Sequence, residues 1–449
     1  MKRTSQIGLA WILLASGISI LWGTSLAQKV NGWWDFKHIY YGTRCLIQHR
    51  DPYNVSELEG VYRAEGGERP SEPIPAHQAV TIYRNLPATF IVIAPVAMLP
   101  WGPAHVLWMT LTAVSLILAA FLVWNLGASY APNLSLILIC ILLANCQMVF
   151  YGGNAAGIVI GLCVVAVWCF LRERFVLAGV LCLAISLAIK PHNAGLVWLY
   201  FLLAGGVYRK RALQTLLVTS ILCLAGLLWV TSIAPYWMQE LHTNMITTSA
   251  RGGINDPGPS SITSHTPGVI INLQAAISIF RDDPRIYDPV SYLVCGALLL
   301  VWSICTLRTR FSLARAWLAL AAVVPLTMLV TYHRPWDAKL LLLTIPACAM
   351  LWAEGRPIRW VALPVTTAAF VSTADIPLTI LAIHTANLHI STAGISGQLL
   401  TVVLMRPTPL ILLAMGIFYL WVYVRRDPSR DATAGPGEPK ETPLALTRA

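Results

Sequence analysis

Charged residues are scarce in this chain of 449 residues: they make up 11% of the sequence, and Asp and Glu together number 20. A soluble domain carries about 25% charged residues, so a water-soluble enzyme and a disordered chain are both excluded. Hydrophobic residues make up 57% of the sequence instead. Only a lipid bilayer solvates so apolar a surface, and the composition therefore predicts an all-α polytopic membrane protein.

The formal net charge of +11 comes from basic residues that are confined to short clusters between apolar runs. These clusters lie at 2–3, 172–174, 209–211, 308–310, 356–359 and 425–426. Such a pattern marks the cytoplasmic loops of a membrane protein. No basic stripe with interleaved aromatic residues exists outside the apolar runs, which excludes nucleic acid as a partner. The pattern places both termini in the cytoplasm.

Cysteine is present at ten positions, and all except Cys45 lie in or beside apolar runs. Neither a disulfide framework nor a metal-type spacing is recognisable, so we interpret the cysteines as small core residues. The sequence also predicts no cofactor and no metal site.

The first apolar run, Ile7 to Ala27, is longer than the core of a signal peptide, which spans about 7–15 residues. We interpret it as a retained span, with cleavage after Ala27 as the alternative. Further apolar runs follow at 86–100, 104–127, 134–150, 155–171, 175–190, 193–208, 212–234, 290–307, 314–331, 340–353, 358–374 and 398–424. They predict about twelve transmembrane helices in one domain, residues 1–424. An even number of crossings is required between residues 86 and 154, so one run there is expected to be re-entrant or broken.

With every basic cluster inside, the polar loops at 28–85, 235–289, 332–339 and 375–397 face outward. The tail, 425–449, is rich in proline, glycine and charge and is expected to be disordered in the cytoplasm. Ionisable residues are almost absent within the spans, whereas the outer loops contain several. Any chemistry is therefore predicted to face outward.

The first outer loop opens with Trp33-Trp34-Asp35-Phe36, and the apolar residues that follow recur at helical spacing. This spacing predicts a short helix along the membrane surface, with Asp35 at its N-cap. In that position Asp35 has two interpretations. It accepts backbone N–H bonds as an ordinary cap, or it is a carboxylate at the lipid–water boundary that deprotonates an acceptor hydroxyl.

Four further motifs stand out; all have a structural interpretation, and the last two also have a functional one. Asp51-Pro52-Tyr53 and Gly152-Gly153-Asn154 are typical of turns. Lys190-Pro191-His192 ends an apolar run, where the lysine either reaches a phosphate or extends to the interface. The polar island 332–339 contains His333, Arg334 and Asp337, which either connect two spans or neutralise an anionic lipid headgroup.

Taken in order, these motifs resemble glycosyltransferase family 87, a family of membrane glycosyltransferases in the GT-C superfamily. The resemblance rests on Trp34-Asp35-Phe36, Asp51-Pro52-Tyr53, Leu86-Pro87, Gly152-Gly153-Asn154 and Lys190-Pro191. It covers residues from about 30 to 211 and extends more weakly to about 350.

The resemblance implies an inverting transfer of one sugar, mannose or arabinose-like, from a polyprenyl-phosphate donor to an acceptor hydroxyl of a lipid or glycan. The reaction takes place on the extracytoplasmic face of the cell membrane, with Asp35 as general base and membrane lipids around the protein. Lys190, His192, His333 and Arg334 are predicted to bind the donor phosphate. Substrate contacts are predicted for Tyr40, Tyr41, Arg44, Asp51, Tyr53, Asn154, His265 and Asp337. The alternative is a transporter or flippase of a lipid-linked saccharide; a membrane scaffold explains the spans but not the ordered motifs.

Overall fold

The computed structural model describes residues 2–67, 74–261, 268–355, 357–385 and 394–426. Every regular element in these ranges is helical. The helices are α1 (Lys2–Lys29), α2 (Trp34–Ile47), α3 (Val55–Ala64), α4 (Ile74–Thr81), α5 (Ala88–Ala97), α6 (Trp101–Gly127), α7 (Pro132–Leu143), α8 (Gln147–Gly152), α9 (Ala156–Arg172), α10 (Val176–Ile189), α11 (Pro191–Ala204), α12 (Gly206–Ile233), α13 (Trp237–Ser249), α14 (Leu273–Ile277), α15 (Pro284–Arg308), α16 (Leu313–Val330), α17 (Ile345–Ala353), α18 (Arg359–Ser372), α19 (Asp375–Thr385), α20 (Gly394–Met405) and α21 (Pro407–Arg425). A 3₁₀ helix, Asp337–Thr344, leads into α17.

Seven helical segments of the described chain are long and apolar enough to cross a bilayer. They are Gln6–Lys29, Trp101–Gly127, Pro132–Gly152, Gly206–Ile233, Pro284–Arg308, Leu313–Val330 and Pro407–Arg425. The pair α18 and α19, bent by 63°, adds an eighth if it forms one span. The chain is thus an all-helical multi-pass membrane protein, as its composition predicts. The count of twelve spans stays a prediction, because α5, α9, α10 and α20 are apolar but shorter.

The apolar run 86–100 forms only the ten-residue helix α5, and Phe90 near its start packs on Tyr53 and Tyr83 of the first outer loop. At its start, Thr89 donates a hydrogen bond to the carbonyl of Ala188, near the end of α10. At its far end, Arg44 of α2 donates to the carbonyl of Ala97. Helix α5 therefore does not traverse the bundle, whereas α6 and the α7–α8 pair do. This arrangement agrees with an even number of crossings between residues 86 and 154, which stays a prediction.

Basic residues of the clusters 172–174, 209–211 and 425–426 lie together at one end of the bundle, which we call the basic end. There Arg211 donates to the carbonyl of Phe170 at 2.6 Å, and Arg315 donates to the carbonyl of Arg426 at 2.9 Å. Helices α9, α10 and α16 each have one terminus at this end and the other next to the motifs at 154, 190 and 332–339. Helix α16 is the central element, since its side chains are buried from Arg315 to Leu329. The polar motifs therefore gather at the end opposite the basic clusters.

Helix α2 forms as predicted, but it is buried on most of its circumference by α3, α4 and α5. Helix α13 also packs against this outer segment, because its Asn244 donates hydrogen bonds to the carbonyls of Tyr53 and Tyr83 at 2.8 and 3.0 Å. The apolar face of α2 thus packs against other helices of the same outer segment, and the position of α2 along the membrane surface stays a prediction.

Two interrupted helices, α7–α8 and α18–α19, satisfy each other's polar groups deep in the protein. Asp375 accepts a hydrogen bond from the N–H of Met148 at 2.7 Å, and Asn145 accepts one from the N–H of Ile376 at 3.1 Å. Asp375 also pairs with Lys339 at 3.4 Å, and both side chains are nearly inaccessible. By itself, the interruption between α7 and α8 or between α18 and α19 would leave unpaired backbone groups in an apolar environment. Each interruption therefore depends on the other for its hydrogen-bond partners.

Candidate functional site

The start of α2 positions Asp35. Trp33 precedes the helix in a left-handed conformation (φ 60°), and its N–H donates to the carbonyl of Tyr151 at 2.8 Å. Because the helix begins at Trp34, Asp35 is its second residue, and no side chain caps the helix. The prediction of Asp35 as N-cap is therefore wrong. Its Oδ2 instead accepts a hydrogen bond from Nδ2 of Asn154 at 2.7 Å.

Asn154 connects Asp35 to Lys190. Its Oδ1 accepts from Nζ of Lys190 at 2.9 Å and from the N–H of Ala156 at 2.8 Å. Since both polar atoms of the buried amide are engaged, its orientation is determined by its partners. Three motifs that lie far apart in the sequence thus form one hydrogen-bonded chain.

The two glycines before Asn154 let this turn approach α2 closely. A Cβ on Gly152 would lie 3.1 Å from Oδ2 of Asp35. Gly153 has a φ of +63°, and a Cβ there would lie 2.8 Å from Cβ of Phe36. The carbonyl of Gly153 also accepts a hydrogen bond from the indole of Trp108 at 2.9 Å. Both glycines are therefore needed for the position of Asn154.

We expect Gly153→Ala to lower the free energy of unfolding by about 1–3 kcal/mol, because a left-handed alanine is strained and its Cβ overlaps Phe36. Thermal unfolding in detergent measures this change. The matched control is Gly17→Ala in α1, where an added Cβ meets nothing within 4 Å. The control should be neutral or slightly stabilising. Equal unfolding temperatures for the two variants would contradict this account.

Lys190 continues the chain to Asp337. Its Nζ lies 2.8 Å from Oδ1 of Asp337, which also accepts from Nδ2 of Asn193 at 3.0 Å. Oδ2 of Asp337 accepts from the N–H of Arg334 at 3.1 Å. Burial acts to raise the pKa of Asp337, but the ammonium of Lys190 holds it below its usual range. Lys190 points inward into this network and does not extend to the interface.

His192, His333 and Arg334 lie beside this pair. The two imidazole rings are 4.9 Å apart. Burial lowers the pKa of His333. Its Nδ1–H donates to the carbonyl of Thr331 at 3.0 Å, and its buried Nε2 has no hydrogen-bond partner. The guanidinium of Arg334 donates to the hydroxyl of Tyr332 and to the carbonyl of Ile254, and it packs over the rings of Tyr332 and Trp336.

Part of this cluster is accessible and part is not. The buried members are Asn154, Asn193, His333 and Asp337. The half-buried or exposed members are Asp35, Arg84, Lys190, His192, Tyr332 and Arg334. The accessible side therefore presents one carboxylate next to several cations. Such a group can remove a proton from one reactant while stabilising negative charge on another.

Sequence reasoning missed Arg84, Asn193 and Tyr332. Arg84 lies in the extended segment between α4 and α5, and its electrostatic neighbours include Asp35, Tyr332 and Arg334. Burial lowers the pKa of Arg84, although a guanidinium stays protonated. The available signal was a polar Arg-Asn pair directly before Leu86-Pro87, but a single arginine in a polar stretch has no periodicity to mark it.

The remaining predicted site residues lie apart from this cluster, and the protein satisfies most of their polar groups itself. The hydroxyl of Tyr40 donates to the carbonyl of Leu99 at 2.8 Å, and Tyr41 stacks on Trp101. Further pairings are Arg44 with Glu65, Asp51 with the N–H of Tyr53, and the Tyr53 hydroxyl with the carbonyl of Asn85. Their contact with substrate stays a prediction. His265 lies outside the described residues.

Across the described part of the chain, no group of three or more His, Cys, Asp or Glu side chains is arranged to hold a metal ion. The polar cluster is thus built from carboxylates, amides and cations that bind each other.

Comparison with known proteins gives one match. The model of glycosyltransferase family 87 matches residues 85–331, which is more than half of the chain. The match contains Asn154 and Lys190, whereas Asp35 precedes it and Asp337 follows it. No curated protein and no solved structure matches the chain significantly.

Proposed function

The chain belongs to glycosyltransferase family 87 and is a glycosyltransferase; from this premise we propose that it transfers one sugar from a polyprenyl-phosphate donor to an acceptor hydroxyl, with inversion and with Asp35 as general base. The observation that supports this most is the hydrogen-bonded chain Asp35–Asn154–Lys190–Asp337. It joins four separate segments at the end of the bundle opposite the basic clusters.

The proposed step needs one base and several cations. Asp35 takes the proton of the acceptor hydroxyl while the hydroxyl oxygen attacks the anomeric carbon of the sugar. The bond from that carbon to the phosphate oxygen breaks, and its electron pair stays on the polyprenyl phosphate. Because the leaving group is already anionic, positive charge and hydrogen-bond donors assist it more than a general acid would.

The network supplies both requirements. Asn154 orients the carboxylate of Asp35 through the 2.7 Å hydrogen bond. Lys190 and Arg334 contribute positive charge to the accessible side, and His192, which is exposed, offers a further donor. His333 is buried and donates to the carbonyl of Thr331, so its contact with the phosphate stays a prediction. Asp337 keeps Lys190 in place from the buried side. We therefore propose that the donor phosphate binds at the accessible side of this polar cluster, which we call the cleft.

The positions of the basic clusters support an extracytoplasmic site in the cell membrane, with both termini inside. We propose in addition that residues 1–424 form a single GT-C-type domain with about twelve spans, in which the shorter helices also lie within the membrane. The acceptor is a lipid or glycan hydroxyl, and the sugar is mannose or arabinose-like.

The test uses the purified protein in lipid vesicles, labelled polyprenyl-phosphate mannose and a crude lipid acceptor extract. The proposal expects label in a new product and release of polyprenyl phosphate. If mannose fails, polyprenyl-phosphate arabinose and other sugars on the same lipid follow. Labelled lipid that crosses the bilayer with no new glycosidic bond for any sugar would overturn the proposed reaction in favour of a transporter.

A further inference from the structure

Arg84 has hydrogen-bonding capacity that the protein does not use. Its Nη1 is buried and has no hydrogen-bond partner. Among the described residues the side chain forms neither a hydrogen bond nor an ion pair, and part of its surface is exposed. A buried guanidinium without a partner is costly, since buried charges in proteins are normally paired and hydrogen-bonded.

The other cations near the cleft are already engaged. Lys190 donates to Asn154 and Asp337. Arg334 donates to the hydroxyl of Tyr332 and the carbonyl of Ile254, and two aromatic rings flank its guanidinium. An anion that enters the cleft therefore finds unused donors at Arg84 more readily than at these residues.

The surroundings of Arg84 define what it could bind. Its electrostatic neighbours are Asp35, Tyr332, Arg334 and His38. Asp35 is the one carboxylate among them, and no hydrogen bond joins the two side chains. A planar guanidinium with free N–H groups matches the oxygens of a phosphate, which it binds through two parallel hydrogen bonds.

We propose that Arg84 binds the phosphate of the lipid-linked donor, and of the polyprenyl phosphate that remains after transfer, through the guanidinium edge that has no protein partner. This inference rests on the proposed function. It places the phosphate beside Asp35, so that the leaving group and the base occupy neighbouring positions in the cleft. Lys190 then serves chiefly to hold Asn154 and Asp35.

The experiment measures binding of farnesyl phosphate, a short polyprenyl phosphate, to the full chain in detergent, with farnesol and inorganic phosphate as parallel probes. We expect Arg84→Gln to weaken farnesyl phosphate binding about tenfold to a hundredfold, as for the loss of a charged hydrogen-bonded pair. Arg84→Lys keeps the charge but loses the paired N–H donors of the guanidinium, which we call the fork. Its affinity for farnesyl phosphate should lie between those of the wild type and Arg84→Gln. Farnesol binding should not change, and saturating inorganic phosphate should compete with farnesyl phosphate.

Arg63→Gln is the matched control, because Arg63 is an exposed arginine of α3 that pairs with Glu59. It should bind farnesyl phosphate as the wild type does. If the wild type binds farnesyl phosphate and Arg84→Gln binds it equally, the inference is overturned while the proposed function stands. If the wild type neither binds farnesyl phosphate nor transfers sugar, the proposed function fails, and the inference fails with it. If Arg84→Gln does not fold, Arg84→Lys decides, and unchanged affinity in that variant would overturn the role of the fork.

Discussion

Asp35→Asn is expected to reduce sugar transfer by about 10²–10⁴-fold, the contribution usual for a general base. The substitution removes the proton acceptor but keeps the volume of the side chain. Its amide oxygen can still accept the hydrogen bond that Asn154 donates. Affinity for the donor should therefore change little while the rate of transfer falls. Initial rates at saturating donor, measured in lipid vesicles, test this.

The control for Asp35→Asn is Glu59→Gln, a carboxylate-to-amide change on α3 in the same outer segment. Glu59 pairs with Arg63 on the surface, away from the polar cluster. We expect its transfer rate to equal that of the wild type. An Asp35→Asn variant that transfers sugar at the wild-type rate would refute Asp35 as the base.

Lys190→Met is expected to lower the free energy of unfolding by about 3–5 kcal/mol, because it leaves the carboxylate of Asp337 buried without its cation. Asp337 is 2% exposed and would keep only its bonds to Asn193 and the N–H of Arg334. Transfer should also fall, since Asn154 loses the ammonium that orients it. Thermal unfolding and transfer rates are measured on the same preparations.

The double variant Lys190→Met/Asp337→Leu separates these two effects. Removing both charges should restore most of the stability, since buried ion pairs can often be replaced by apolar residues without loss. Transfer should stay low, because the ammonium next to Asn154 is still missing. Lys210→Met, an exposed lysine at the basic end, is the control and should change both quantities little. A double variant as unstable as the single one would argue against the ion pair as the cause.

The sequence predicts many of the site residues, because most of them lie directly after the end of an apolar run. Lys190 directly follows α10, and the polar island 332–339 follows α16. With the basic clusters assigned to the other side, these ends must face the same way. The family match then identifies the chemistry. The end of the bundle at which the site lies was therefore predictable from order and charge alone.

The partners within the site were not predictable in the same way. Lys190 and Asp337 are 147 residues apart, and nothing local to either indicates their pairing. In the sequence, a tyrosine that binds substrate cannot be distinguished from Tyr40, whose hydroxyl donates to the carbonyl of Leu99. Whether run 86–100 crosses depends on its packing against α2 and α10, since its composition is as apolar as that of a true span.

The mutual dependence of the breaks at α7–α8 and α18–α19 has a consequence for biosynthesis. The N–H of Met148 meets its acceptor, Asp375, 227 residues later in the chain. Until the ribosome has made that later part, the interruption between α7 and α8 has no hydrogen-bond partner. Its backbone N–H groups are then unpaired in an apolar environment. A nascent chain that stops before α18 would therefore keep a defect in its first half. This contact therefore makes synthesis of the chain through Asp375 a condition for a stable early half.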